Sequence, residues 1–317
     1  MRTYILRRLL QAIPLLVFIS GLCFGLMHLA PGGPLARLQE NPRARPEDIE
    51  MLKKNLGLDK PLPVQYARWA GRMLHGDLGT SYTTGEPVLA MIKQRIPPTM
   101  KLMLTAFVLA LAIGLAIGII TGLRPATATD YAATLFSFIG ISIPVFWLAL
   151  MCQVVFGAWL KWLPVTARAA SMSDPTLLDH IKDLILPVGV LSLLYIASWS
   201  RYMRGTLIEV MSQDYIRTAR AKGLAAATVV FRHGVRNALV PVVTIVAIQI
   251  PELFTGAIIT ETIFAWPGMG RLFYDGIQKG DYPRLMAILM ISSVLIVLFN
   301  LIADVLYAVL DPRISYK

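Results

Sequence analysis

The sequence predicts an all-α membrane protein with six transmembrane helices, and three observations support this fold class. Of its 317 residues, 56% are hydrophobic and only 15% are charged, whereas soluble domains are about 45–50% apolar and about 25% charged. The apolar residues gather in runs of about twenty, the length that crosses a hydrocarbon core of about 30 Å as a helix. A backbone in lipid must satisfy its own hydrogen bonds, so helices are the expected form of these runs.

The predicted spans, in chain order, are 9–29, 99–122, 131–160, 184–200, 239–264 and 285–310. The first run is longer than the apolar region of a cleaved signal peptide and no small-residue cleavage site follows it, so we expect it to be retained. We divide the chain into 1–98, the first helix with an external loop, and 99–317, a five-helix core with a loop at 201–238.

The loop 30–98 carries two amphipathic patterns, "PEDIEMLKKNLGL" and "PVQYARWAGRMLHGDLG". Both predict short helices, bounded by proline at the start and glycine at the end. They fit either a small helical subdomain or helices that lie on the membrane surface, and the sequence does not decide between the two.

The basic residues predict the orientation of the chain. The block 201–238 holds seven Arg or Lys against two acids, and cytoplasmic loops of membrane proteins are enriched in Lys and Arg. With an even number of spans, a cytoplasmic location for this block places both termini in the cytoplasm. The same bias explains the net charge of +11 better than nucleic-acid binding does, and we expect no nucleic-acid partner.

Motifs for catalysis and for nucleotide binding are missing from the sequence. It has no G-x-x-x-x-G-K-[ST], no H-E-x-x-H and no G-x-S-x-G, which are the signatures of phosphate-binding loops, zinc proteases and serine hydrolases. The four histidines are scattered, and Cys23 and Cys152 lie in separate apolar runs. We therefore predict no enzymatic activity, no cofactor and no metal site, so transport would need a partner or an ion gradient.

Polar side chains within spans cost free energy to place inside a membrane, so they are candidates for function. Glu252 falls near the middle of the fifth predicted span beside Pro251, and Gln249 lies one turn earlier. We expect Glu252 to face a translocation path, to pair with a cation, or to be protonated by burial. Further along, Trp266, Pro267 and Gly268 predict a turn at an outer gate, and the alternative is an aromatic anchor at the membrane interface.

The segment "DYIRTARAKGL", from Asp214 to Leu224, predicts a docking surface on a helix that runs from about 210 to 222. Small side chains would allow close approach of a partner, cations surround them, and a C-terminal glycine ends the helix. A lipid-binding helix would need a bulky apolar face, which is missing here. The candidate residues are Asp214, Arg217, Ala219, Arg220, Ala221, Lys222, Gly223 and Leu224.

The sequence "YIRTARAKGL…FRHGVRNALVP" resembles the cytoplasmic coupling loop of ABC importer permeases of the dipeptide, oligopeptide and nickel branch. Four further segments resemble other parts of that branch in the same order: "APGGPL", "QYARWAGRMLHGDLGTSY", "ETIFAWPGMGRLFYDGI" and "DPRI". Two places in the sequence depart from the general pattern. Gly33 replaces an acid, and Arg217-Thr218-Ala219 replaces Glu-Ala-Ala, as is typical of the peptide branch.

The resemblance implies a type I ABC importer permease fold in the bacterial inner membrane. It implies half of a translocation path for di- or oligopeptides delivered by an external substrate-binding protein, in a complex embedded in membrane lipid. The other implied partners are a homologous permease subunit and two cytoplasmic ATPase subunits, which would hydrolyse the ATP. A nickel or oligosaccharide permease stays an alternative, as does a gradient-driven secondary transporter in which Glu252 would carry a proton.

Overall fold

The structure, a computed structural model, describes residues 2–29, 47, 50, 59–168, 172, 174–251, 253 and 257–310. Its regular structure is helical, as predicted, apart from an isolated bridge between Thr80 and Pro87. Several residues singled out by the sequence lie outside the described residues. These are most of the predicted helix at 46–58, Gly33, Glu252 and the segment 311–317.

The helices are named α1 to α11 in chain order, and two of them are partly wound as π-helix, over Gln153–Trp159 and Val229–Val235. Their bounds are α1 Arg2–Leu29, α2 Leu62–Leu74, α3 Val88–Leu123, α4 Ala128–Ser142, α5 Val145–Trp159, α6 Leu177–Met211, α7 Asp214–Ala221, α8 Ala226–Ile248, α9 Ile258–Ile263, α10 Met269–Lys279 and α11 Tyr282–Leu310.

Five of these helices, α1, α3, α6, α8 and α11, are long and apolar enough to cross a membrane, and α4 with α5 makes a sixth span if the pair is counted as one. This pair bends by 100° at its break, so the predicted span over 131–160 is present as two helices with a bend between them. Proline disfavours helical geometry in the residue before it. Ile143, which precedes Pro144, is accordingly extended, with ψ 123°.

The fifth predicted span, 239–264, is wrong in its bounds. The helix α8 begins at Ala226 and ends at Ile248. The amides of Gln249 and Ile250 donate to Val246 and Ala247, three residues back, which is how a helix end tightens into a 3₁₀ turn. Pro251 then has no amide hydrogen to donate. The helix α8 thus ends before position 252, and Glu252 itself lies outside the described residues.

The centre of the molecule is the packing of α3 against α6. Gly114, Gly118 and Gly122 lie one turn apart on α3 and face α6. A Cβ atom at Gly118 would lie 2.6 Å from the Cβ of Met203, and one at Gly122 would lie 3.1 Å from that of Leu207. Small residues let two helix backbones approach closely, which replaces the missing hydrophobic driving force inside a membrane.

The amphipathic helix predicted before Gly76 is confirmed as α2, and it is attached to α1. The hydroxyls of Ser20 and Tyr66 share a hydrogen bond of 2.7 Å. The ring of Phe24 lies 5.5 Å from that of Tyr66 and 5.8 Å from that of Trp69. These contacts hold the second half of α1 against the loop that follows it.

Candidate functional site

The connection between α6 and α8 forms a short helix, α7, that ends at a left-handed glycine. α6 continues to Met211, and Gln213 is extended with ψ 151°. The predicted helix from 210 to 222 is therefore two helices with a break between them. Gly223 has φ +75°, and its amide donates to the carbonyl of Arg220. The prediction of a glycine cap is confirmed, because side chains other than glycine are strained at this φ.

One face of α7 packs inward on the chain itself. Ile216 is fully buried and Ala219 is 6% exposed. Both pack with Val229 of α8, beside Met211 at the end of α6. The expectation that Ala219 offers a small surface to a partner is therefore wrong. Its small side chain instead lets α7 lie close to α8. Ala219 therefore helps to set the position of the exposed face of α7.

The opposite face of α7 and the turn after it are exposed. Asp214 and Arg217 lie 3.4 Å apart, with 94% and 79% of their side chains exposed. Behind Leu224, which is 42% exposed, lies a shallow cavity of about 200 Å³. The exposed members of the predicted docking set are Asp214, Arg217, Arg220, Ala221, Lys222, Gly223 and Leu224. Such a surface, with small residues, a cationic rim and an apolar notch, suits a protein partner.

An ion pair between the half-buried Arg204 and a buried carboxylate fixes the end of α6 that leads to α7. Arg204 donates to both carboxylate oxygens of Asp130 on α4, with an Nη2–Oδ2 distance of 2.8 Å. Asp130, only 1% exposed, also accepts the amide of Ala126 at 2.9 Å. Two-point contact between arginine and a carboxylate is strong and directional. We did not predict this pair; its signal in the sequence is an arginine, one turn after Arg201, near the end of an apolar run.

At the opposite end of the spans, the buried carboxylate of Glu261 caps α10. Its Oε1 accepts from the hydroxyl of Thr99 at 2.8 Å, and its Oε2 accepts from the amide of Arg271 at 3.0 Å. Thr99 in turn accepts from the amide of Met269 at 2.7 Å. Gly268 adjoins this cap, where a Cβ would lie 2.4 Å from Glu261. Burial raises the pKa of Glu261 above its ordinary value.

The predicted gate residues belong to this same cluster. Trp266 is only 6% exposed, and its indole nitrogen donates to the carbonyl of Pro98 at 2.9 Å. The alternative of an aromatic anchor at the membrane surface is therefore wrong for Trp266. Pro267 is half-buried and Gly268 is buried. The three residues hold the α9–α10 connection against the start of the apolar part of α3.

Of the two predicted path residues, the structure describes one. Gln249 is half-buried, and its side-chain oxygen accepts from the indole nitrogen of Trp199 at 2.7 Å. Trp199 is fully buried in the main core cluster. Gln249 thus satisfies a buried donor in the chain's own core, which is a sufficient reason for a polar side chain here. Glu252, outside the described residues, keeps its status as a prediction.

A second ion pair, buried at both residues, ties the loop before α3 to the start of α11. Asp281 is fully buried and Arg284 is 2% exposed, and their side chains meet at 2.9 Å. Asp281 also accepts from the hydroxyls of Ser81 and Thr83 and from the amide of Tyr82. Arg284 donates to the same two hydroxyls at 3.1 Å. We call this network of five residues the loop latch.

The chain matches known transport proteins over its whole length. Residues 114–316 match the family described as binding-protein-dependent transport system inner membrane component, and residues 1–103 match the N-terminal part of such membrane components. The oligopeptide transport system permease protein AppB of Bacillus subtilis is 44% identical over the full length of both chains. The dipeptide permease DppB of Alkalihalophilus pseudofirmus is 37% identical and the glutathione permease GsiC of Salmonella paratyphi A is 38% identical, again over the full length.

Among solved structures, an inward-facing form of the MetNI methionine ABC transporter is similar in fold. The TM-score is 0.54 at 17% identity, and the match covers 71% of this chain and 99% of the other. This likeness concerns the fold alone, and it confirms the predicted importer permease fold.

Proposed function

The chain belongs to the family of binding-protein-dependent transport system inner membrane components, and from that membership we propose that it is one permease subunit of an ATP-driven importer of short peptides. It forms half of a translocation path that a second, similar permease completes. An external binding protein delivers the peptide, and two ATPase subunits on the other side supply the energy. Membership in a transport family also supports the prediction that this subunit is not itself an enzyme.

The choice of substrate rests on the relatives. The three described above are named for oligopeptide, dipeptide and glutathione transport, and each matches the chain from end to end. Glutathione is itself a tripeptide, so all three names point to the same chemical class. None of the three supports the nickel or oligosaccharide alternatives, and the family match favours a permease of this kind over a gradient-driven transporter.

The observation that carries the proposal is the exposed face of α7. The sequence has no phosphate-binding loop, so in an ATP-driven importer the energy of ATP would reach the spans through a partner. α7 stands between α6 and α8 and is packed onto α8 through Ile216 and Ala219. A force applied to its outer face would therefore reach both spans directly. We assign this face to the ATPase, with Arg217, Arg220 and Lys222 positioned to meet acidic groups of the partner.

The two predicted parts of the chain, 1–98 and 99–317, remain our proposal for its organisation. The two family matches end at 103 and begin at 114, which supports a boundary near this point. The helix α3, Val88–Leu123, runs through it without a break. We therefore regard the first part as an addition that shares a helix with the core rather than as an independent domain.

Cysteine labelling tests the proposed orientation, with both termini in the cytoplasm. In a background with Cys23 and Cys152 replaced by alanine, Glu86→Cys and Ala128→Cys each place one thiol at an exposed position. A membrane-impermeant maleimide is expected to label Glu86→Cys in intact spheroplasts, and Ala128→Cys only after permeabilisation. The reverse pattern would contradict the orientation.

Uptake by the reconstituted complex tests the proposed function. Liposomes that contain both permeases and the ATPases are expected to accumulate a labelled peptide only with ATP on the ATPase side and binding protein on the other. Uptake driven by a proton gradient without ATP would mean a secondary transporter. ATP-driven uptake of nickel or an oligosaccharide, with none of any peptide of two to five residues, would overturn the substrate assignment alone.

A further inference from the structure

The break between α4 and α5 leaves backbone groups without hydrogen-bond partners. Ile143 and Pro144 are extended, with ψ of 123° and 133°, so the helical hydrogen bonds of α4 stop there. Four successive carbonyl oxygens accept no hydrogen bond from any described residue, and they belong to Gly140, Ile141, Ser142 and Ile143. Gly140 lacks its usual donor because the residue four positions on is a proline, which has no amide hydrogen.

The α4–α5 pair runs from one end of the spans to the other. α4 begins beside the end of α6 that leads to α7, because Asp130 meets Arg204 there. α5 reaches the opposite end, where the side-chain amide of Gln153 donates to the carbonyl of Ile263 at 2.9 Å. Ile263 belongs to α9, the short helix that also carries Glu261. The break therefore lies within a segment that crosses the membrane.

Contacts with α6 place the break near the middle of the membrane. α6 runs from Leu177 to Met211. A Cβ atom at Gly140 would lie 3.2 Å from the Cβ of Ala197 and 3.7 Å from the Cγ of Leu193, two residues that flank the midpoint of α6. The free carbonyls begin at Gly140, so they lie at the depth where hydrocarbon surrounds the outside of a helix bundle.

The helix α8 ends at the same depth. Its last residue is Ile248, and Gln249 accepts a hydrogen bond of 2.7 Å from the indole nitrogen of Trp199 on α6. Trp199 follows Ala197 by two positions, so the end of α8 and the break in α4–α5 are level with the same part of α6. In many membrane transporters, substrate sites near mid-depth are formed by helices that are interrupted there.

Lipid cannot satisfy the backbone of the break, and the chain itself does not bury it. Non-helical backbone at this depth is tolerated only where protein covers it or where it lines a water-filled cavity. Ile141, Ser142 and Pro144 are exposed on this chain. Water in a translocation path would supply the missing donors, and the polar groups of a passing peptide would replace that water.

We propose that the break, residues 141–144, lines the translocation path and that the free carbonyls of residues 140–143 bind the terminal ammonium group of a passing peptide. This site presupposes the proposed function, the import of short peptides. The C-terminal end of a helix carries a partial negative charge of about half an elementary charge, and an ammonium group has three hydrogen-bond donors. Several unpaired carbonyls at the end of α4 therefore suit this group.

Cysteine accessibility tests the position of the break, in the complete transporter reconstituted in liposomes. In a background with Cys23 and Cys152 replaced by alanine, Ser142→Cys places a thiol at the break. Ser137→Cys is the matched control, the same change on the same helix at a residue that is 2% exposed. A charged methanethiosulfonate reagent, present on both sides of the membrane, attacks thiolates, which form in water. We expect Ser142→Cys to react at least about tenfold faster than Ser137→Cys. Equally slow reaction of the two thiols would mean that lipid or the partner permease covers the break, and would overturn the proposal.

Protection by peptide tests the ammonium site. A tripeptide and its N-acetylated form, which lacks the ammonium group, are added at millimolar concentration without binding protein, so that the selectivity of the binding protein plays no part. We expect the free peptide to protect Ser142→Cys at about fivefold lower concentration than the acetylated form, because a charge at a helix end changes affinity by about this factor. Equal protection by both peptides, or protection by neither, would overturn the assignment of the carbonyls to the ammonium group.

Uptake by the same liposomes separates a failure of this proposal from a failure of the proposed function. Ser142→Cys is expected to accumulate peptide with ATP and binding protein before it is labelled, and to lose this uptake once it is labelled. Uptake that persists after complete labelling would remove the break from the path and leave the importer unaffected. Absence of ATP-driven uptake in the cysteine-free parent would instead contradict the proposed function, and the site with it.

Discussion

Asp281→Ala is expected to destabilise the protein by about 3–5 kcal/mol, because it leaves a buried arginine without its counter-charge. Asp281 is fully buried and Arg284 is 2% exposed. The change also removes the acceptor for Ser81, Tyr82 and Thr83. The loop before α3 would then detach from the start of α11. The measurement is the unfolding midpoint of the purified complex in detergent, compared with that of the unmodified complex.

Two further variants distinguish loss of the latch from a general effect of mutation. Glu86→Ala removes an exposed acid of the same loop and is expected to change stability by less than about 0.5 kcal/mol. Replacing Asp281 and Arg284 together by leucine removes both charges, and replacement of a whole buried pair by apolar residues is often close to neutral. A double variant as unstable as Asp281→Ala would mean that the loop latch stabilises the protein through its shape rather than through its charge pairing.

Ala221→Glu is expected to uncouple the permease from the ATPase while leaving the spans intact. Ala221 is exposed on the outer face of α7, and a charged intruder at a packed interface costs about 2–4 kcal/mol on the scale of interface hot spots. That range is about a 30- to 1000-fold loss of docking affinity. Peptide-stimulated ATP hydrolysis and transport should both be lost, and the ATPase should wash off during purification.

The control for this variant is Ala128→Glu, which adds the same charge at an exposed position, the first residue of α4. It is expected to keep the ATPase bound. Ala219→Glu is a poor test, because Ala219 is 6% exposed and packs on α8, so it would disturb the position of α7 itself. Normal ATPase binding and transport by Ala221→Glu would contradict the assignment of this face.

The spans could be predicted from composition, but their breaks could not. Pro14, Pro187 and Pro241 lie inside continuous helices, whereas Pro144 opens a new helix and Pro251 follows one that has ended. A proline in a membrane helix is tolerated when neighbouring helices and side chains satisfy the groups that it frees. Those neighbours are set by the tertiary structure. The sequence alone therefore does not show which proline lies inside a continuous helix and which one marks the end of a helix.

The buried acids were missed for a related reason. Glu252 was singled out because it falls near the middle of a predicted span. The acids that the structure shows to be buried are instead Asp130, Asp183, Glu261 and Asp281. Glu261 meets Thr99, 162 residues away, and Asp281 meets Ser81, 200 residues away. Partners so distant leave no local pattern.

The short helix that ends before Gly223 could be predicted, because its glycine and its cations are local signals, but which of its faces is buried could not. Ala219 and Ala221 are equally small, and only the position of α8 behind α7 shows that Ala219 is buried and Ala221 exposed. The face of a short helix that can contact a partner is therefore identified only when the face that packs against its own chain is known.

The most direct test of the central claim is photocrosslinking from Ala221 in membranes that contain the assembled transporter. A benzophenone amino acid at this position, on the exposed face of α7, is expected to give a covalent product of the permease with the ATPase. The same probe in place of Leu10, an exposed residue on α1, should give none. Adducts from Ala221 with lipid alone, in membranes where the ATPase is present and bound, would contradict the claim and assign α7 to the membrane surface.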